Sequence, residues 1–250
     1  MKLGILSDIH EDVVGLEKAL KLLEKKGCDE IACLGDIVGF SDMYYPFRET
    51  CNAAECIRLV RENCRYSLAG NHDLFVAKKI PEYTAGFNYP ENWYQLTLSE
   101  RLIMADRKVW DYLGEPEPDL DEKSLHYLKE LPEYLVIETE RKKLFLSHFN
   151  YPDLTGSRKK YPSSPLHLIG HFRFAEKHGC TVSFSGHGHY VGLLTAGKLQ
   201  FRERPFGVYD LRGRTYFIGA PCVAEGRKES GVMIFDTGSF SVESISIKDF

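Results

Sequence analysis

Residues 2–10, KLGILSDIH, decide the fold: a short apolar run stops abruptly at Asp8 and His10. Brief apolar runs bounded by polar residues read as strands buried inside a sheet, so residues 2–7 are expected to form one. Residues 13–26 follow with Val13, Leu16, Ala19, Leu20 and Leu23 at helical spacing, and Gly27 stops that helix. A strand at 30–34, a helix at 49–63 and a strand at 65–68 repeat the pattern. Strand–helix alternation of this kind builds a parallel sheet with right-handed crossovers.

Downstream the pattern changes twice. Over 74–132, Trp93, Tyr94, Trp110 and Tyr112 stand among charges, and the apolar spacing of 92–113 is helical, which predicts a helical insertion or cap. From Tyr134 onward short strands dominate, at 135–138, 143–147, 181–185, 191–196, 199–202, 216–218, 232–236 and 240–247. The expected fold is therefore α/β: two mixed sheets packed as a sandwich flanked by helices. It would form one domain over 1–250, with the insertion at about 74–132.

The chain of 250 residues is 43% hydrophobic, enough for a substantial core, and its net charge of −4 offers no global attraction to nucleic acid or anionic membranes. A phosphate-bearing substrate would have to be held locally. No apolar run approaches the length of a membrane span and the opening is too short for a secretory signal core, so a cytoplasmic protein is expected. Seven cysteines, odd in number and without a CxxC pair, read as reduced packing residues.

The chemistry lies in where Asp, Asn and His fall. Asp8 and His10 end the first expected strand, Asp36 ends the second, and Asn71 and His72 follow the third. His148 and the run Gly186-His187-Gly188-His189 follow later strands. In open α/β sheets ligands bind beyond the carboxyl ends of strands, so these residues are expected to converge on one crevice. Strand alternation further predicts that Asp8 with His10, and His187 with His189, each aim two side chains at one site. Two carboxylates, one amide and four imidazoles suit Mn, Fe, Zn, Co or Ni, and seven ligands exceed the needs of one ion. Two ions sharing a carboxylate are expected, the usual device for phosphoryl chemistry. The other four histidines, His126, His167, His171 and His178, lack strand-end partners and read as surface or packing residues.

Taken as a set, Asp8-Ile9-His10, Gly35-Asp36, Gly70-Asn71-His72-Asp73, His148 and Gly186-His187-Gly188-His189 resemble the five motifs of the calcineurin-like metallophosphoesterase superfamily. The openings LSDIH and GDIVGF are most similar to its small bacterial and archaeal phosphodiesterase branch. The resemblance implies a first ion held by Asp8, His10, Asp36 and His189, and a second by Asp36, Asn71, His148 and His187. It also implies that Asn71 and His72 contact the phosphate and that His72 protonates the leaving oxygen, with Asp73 considered as its orienting partner.

Departures from the family pattern bear on substrate. Related protein phosphatases carry GDxxDRG, where this chain has Gly39, Phe40 and Ser41; Glu11 and Asp12 replace the usual Gly-Asn after the first His; Phe149 and Asn150 follow His148; and Gly219-Ala220-Pro221-Cys222 replaces a terminal NPGS. A small diester, nucleotide-like or otherwise, is the expected substrate. A phosphomonoester, protein-bound or free, and a non-catalytic scaffold like the related retromer subunit are the alternatives. Arg158 and Lys159, in the basic loop after His148, are further candidates for holding an anionic group, and Trp93, Tyr94 and Trp110 for stacking on a base.

Overall fold

Alternation along β1 (Lys2–Leu6) sorts the interior into two layers. Leu3 and Ile5 point into one apolar cluster and Leu6 into another, all three fully buried. Burying each such side chain contributes about 1.5–3 kcal/mol. The structure is a computed structural model describing residues 1–140, 142–211, 216–248 and 250. Strands are numbered in chain order.

β1 pairs in parallel with β2 (Glu30–Cys33), which pairs in parallel with β3 (Tyr66–Ser67). On its other side β1 runs antiparallel to β11 (Gly231–Asp236), followed by β12 (Ser241–Ser246) and β9 (Gly207–Asp210). The second sheet has the order β4 (Tyr134–Glu138), β5 (Lys143–Ser147), β6 (Cys180–Ser185), β10 (Tyr216–Gly219), β7 (Leu193–Gly197), β8 (Gln200–Arg204). Its central strands β5, β6 and β10 are parallel and its edges antiparallel. The expected fold is thus present: two mixed six-stranded sheets share a core of Leu3, Ile5, Leu144, Leu146, Val182, Phe184, Met233 and Phe235.

Helices cover the outer faces. α1 (Val13–Lys25) and α2 (Ala53–Asn63) seal the first sheet through Leu16, Leu23, Cys56 and Val60. α2 starts four residues later than the spacing predicts, because the Asn52 side chain accepts the Glu55 N–H at 3.0 Å and caps the helix there. A short α3 (Asn71–Val76) follows β3. α6 (Ile169–Lys177), which the sequence reading did not anticipate, packs against β6 with Phe172 and Ala175 buried. β9 was likewise not anticipated.

Within 74–132 the structure is less helical than the spacing predicts. Only α4 (Leu98–Ala105), one 3-10 turn at Trp93–Gln95 and α5 (Glu122–Glu130) are regular. Asp106 and Arg107 adopt left-handed conformations and end α4. The next residues bond instead to the loop after β5, with Trp110 N donating to Ser157 O at 3.0 Å and Lys159 N to Lys108 O at 3.1 Å. Trp93, Ala105 and Val109 form a small separate cluster, whereas Leu128 of α5 joins the main core beside α2. All seven cysteines are free, four of them buried. No helix among the described residues is long and apolar enough to cross a membrane.

Candidate metal centre

The expected residues meet at the carboxyl ends of β1, β2, β3, β5 and β6, most of them in loops whose backbone is unusual, with Asn71 and His72 opening α3. Asp8, His10, Asp36, His187 and His189 all have positive φ, between 45° and 61°. Extended-chain alternation therefore does not operate there. Asp8 and His10 do fall in one group, but His187 and His189 part, one to each side of the site.

Backbone bonds hold these bends. Asp8 N donates to Gly35 O, while Ile9 N and His10 N both donate to Asp36 O. The Asp73 carboxylate, fully buried, accepts from the N–H groups of Asp36, Ile37, Val38 and Gly70 at 2.8–3.2 Å. Glu11 accepts from Gly39 N and Phe40 N, and Asp12 from Gly15 N and Glu225 N. The two acids that depart from the family pattern after His10 are thus loop pegs, and neither lines the cleft. Gly39, at φ +99°, leaves space for His72, since a Cβ there would overlap the imidazole.

Three groups of potential ligand atoms overlap, each with its atoms within 4.8 Å of one another: Asp8, His10 and His189; His10, Asp36 and His72; Asp36, His148 and His187. Asp8 Oδ1 lies 3.1 Å from His189 Nε2, and Asp36 Oδ2 lies 3.0 Å from His148 Nε2 and 3.9 Å from His10 Nε2. His10 Nδ1 is 3.0 Å from Gly39 O and His148 Nδ1 is 2.7 Å from Leu34 O. Each carbonyl accepts the Nδ1 proton, which turns the Nε2 lone pair inward, as a metal-binding imidazole requires.

Buried polar atoms are nearly always paired, so unpaired ones are informative. Among the described residues, both amide atoms of Asn71 and the Nε2 atoms of His148 and His187 are buried without an aligned hydrogen-bond partner. The two imidazole nitrogens group with Asp36, and Asn71 directly precedes His72, whose backbone N–H donates to Asp36; a mixed oxygen and nitrogen set of this kind fits a divalent cation. Asp8 and Asp36 are held well below the usual carboxylate range: burial opposes ionisation, but His189 acts on Asp8 and His148 on Asp36 strongly enough to outweigh it.

His72 stands at the rim. Its backbone N–H donates to Asp36 Oδ1 at 2.9 Å, its Nε2 lies 4.0 Å from Asp36 Oδ2, and its Nδ1 lies 2.9 Å from Glu115 Oε2. Burial lowers its pKa, but Glu115 and Asp36 prevail and raise it to about 9. Asp73 faces the loop amides instead, so it does not orient the ring as considered from the sequence.

The cleft over these residues holds about 640 Å³. Trp110, Tyr112, Leu113 and Glu115 of the insertion form one wall, and Tyr44, Tyr45, Arg227 and Lys228 line the other. Aromatic rings back the imidazoles, with Tyr161 stacked on His187 at 5.0 Å and Tyr45 on His10 at 4.9 Å. Lys159 lines the cleft, bonded to Asp111 at 2.5 Å. Arg158 does not: its guanidinium donates to Ala85 O at 2.6 Å and pins the insertion. Trp93 and Tyr94 belong to the insertion's own cluster, leaving Trp110 at the cleft. Glu115, Tyr45 and Arg227 carry no signal at the sequence level, since only tertiary contacts bring them here.

The sequence pattern of the calcineurin-like phosphoesterase family matches residues 1–191, a span that includes all seven candidate ligands. An uncharacterized protein of Methanocaldococcus jannaschii is 25% identical over 251 residues, covering 98% of this chain and 87% of that protein. The crystal structure of a metallophosphoesterase from Sphaerobacter thermophilus shares the fold, with a TM-score of 0.67 at 21% identity, covering 99% of this chain and 88% of that one. A hypothetical protein of Pyrococcus horikoshii does so at 0.58 and 17%, covering 99% and 91%. The pattern spans most of the sequence, and the chain belongs to the calcineurin-like phosphoesterase family.

Proposed function

We propose that this chain is a metal-dependent phosphodiesterase acting on small or nucleotide-like diesters through two divalent ions. Asp8, His10, Asp36 and His189 would hold one ion and Asp36, Asn71, His148 and His187 the other, with Asp36 shared. The observation that carries this reading is the buried Nε2 atoms of His148 and His187 grouped with Asp36, a carboxylate common to two ligand groups, together with the buried Asn71 amide that has no hydrogen-bond partner. When bound, the ions would neutralise phosphate charge and supply a nucleophile at neutral pH. Asn71 and His72 would contact the phosphoryl oxygens, and His72, which keeps its proton, would donate it from Nε2 to the leaving oxygen. The insertion acts as a cap, closing one side of the cleft. The free thiols suit a reducing, cytoplasmic setting.

A diester is favoured because the loop after Asp36 brings no arginine to the phosphate: Gly39 and Ser41 line the cleft there, and Phe40 is buried. A second reading, a monoesterase, draws on Arg227 and Lys228 across the cleft, whose charge would match a dianion. Purified chain loaded with Mn²⁺ is expected to hydrolyse bis-p-nitrophenyl phosphate faster than p-nitrophenyl phosphate, and Asp36→Ala to lose both activity and bound metal. Reversed preference would establish the monoesterase. A metal-loaded chain inert toward both esters would sink the enzymatic reading.

A further inference from the structure

Glu115 reaches the site from an irregular part of the insertion, far in sequence from any strand-end motif. Its carboxylate is only 9% exposed and lies 2.9 Å from Nδ1 of His72, in a contact shielded from the solvent that weakens surface ion pairs. The surrounding chain is anchored to the same short helix that carries His72. Tyr112 donates its hydroxyl hydrogen to Asn71 O at 3.2 Å and stacks on Phe75 at 4.1 Å, and its carbonyl accepts the Glu115 N–H. A carboxylate can only accept from this nitrogen, so Nδ1 must carry a proton and the ring is held with Nε2 toward Asp36 and the cleft.

We propose that Glu115 is the positioning residue for His72, so that the insertion completes the proton-donating apparatus of the strand-end site. This rests on the reading of His72 as proton donor. A water oxygen bonds to phosphorus while the bond to the leaving oxygen breaks and its electron pair stays on that oxygen. The Nε2 proton passes to the leaving oxygen, and the ring remains as the Nδ1–H form, still bonded to Glu115. Solvent returns the proton after release. Asp73 cannot take this role because its oxygens already hold four backbone amides.

Two measurements test the assignment. Nitrogen spectra of histidine-labelled, metal-free protein should show His72 with Nδ1 protonated and hydrogen-bonded, a signature lost in Glu115→Leu, which has no acceptor, and retained in Glu115→Asp. In Mn²⁺-loaded enzyme, Glu115→Leu should lower kcat about 10- to 100-fold on a phenyl ester, a large share of what general acid catalysis contributes. On a p-nitrophenyl ester, whose leaving group needs little protonation, the loss should be under about threefold. KM and metal content should stay unchanged, and the substitution should have no further effect in a His72→Asn background. Equal losses on both esters, or an unaltered His72 spectrum in Glu115→Leu, would overturn the proposal. If the wild-type chain hydrolyses neither ester, the spectrum still decides whether Glu115 positions His72, and only the reaction class falls.

Discussion

The strand-end loops and the insertion wall face each other across one cleft and are built in opposite ways. The loops are bonded to one another at nearly every residue: Asp8 N to Gly35 O, His10 N to Asp36 O, Glu11 N to Ile37 O, and the Asp36, Ile37 and Val38 amides to Asp73. The wall is held at separate points, by Trp110 N to Ser157 O, Lys159 N to Lys108 O, Arg158 to Ala85 O and Tyr112 to Asn71 O, and presents half-exposed residues such as Leu113. A preorganised cradle keeps ligand atoms within the tolerance that chemistry needs, while a wall tethered at separate points can change its side chains at little structural cost. Glu115 is the point where the two kinds of construction meet.

The largest expected effect tests the cradle. Asp73→Ala leaves four backbone N–H groups without their acceptor and should cost about 3 kcal/mol or more in urea unfolding, with weaker metal binding. Asp73→Asn keeps one acceptor oxygen and should cost less. A middle-sized effect comes from His171, which ties the wall's loop to the scaffold by accepting the Tyr151 N–H at 3.0 Å while lying 2.9 Å from Ser183 Oγ. Burial pushes its pKa down from the ordinary 6.5 to about 3. The unfolded chain therefore takes up this proton first, and the stability that neutral His171 contributes is complete above pH 6.5 and shrinks as pH falls toward 3. Between pH 7.5 and 5.5 the loss should be about 1.4 kcal/mol, and His171→Gln should remove that part of the pH dependence. The smallest effect belongs to the wall: Lys159→Ala should raise KM about fivefold, equivalent to ~1 kcal/mol of binding. Its unfolding free energy should shift by less than about 0.5 kcal/mol. Should Lys159→Ala destabilise the fold as much as Asp73→Ala, the contrast between cradle and wall fails.

Much of the cradle was legible in the sequence because each candidate ligand follows a short apolar run, and buried strands advertise their ends. The β1–α1–β2–α2–β3 order and the two mixed sheets were readable for the same reason. α6 was missed although Leu168, Phe172 and Ala175 recur at helical spacing, and β9 because a four-residue strand with alternate residues exposed gives a weak pattern. The 92–113 stretch shows the opposite error. Its helical spacing is real as far as Ala105, and then aromatic residues serve a small cluster and the cleft instead of one helix face. Glu115 was out of reach: left-handed Tyr112 and Gly114 redirect the chain just before it, and its partner lies 43 residues away. Glu11 and Asp12 sit beside the site in sequence but are turned into the backbone.

The left-handed backbone at Asp8, His10, Asp36, His187 and His189 would set stability against the proposed activity at the same residues. Each such residue costs on the order of 1 kcal/mol that glycine would not, and domains are stable by only about 5–15 kcal/mol in all. Replacing several of them with glycine would relax the loops while erasing the chemistry. A laboratory screen that rewards heat resistance alone would therefore be expected to strip this protein of its ligands before it touched its core.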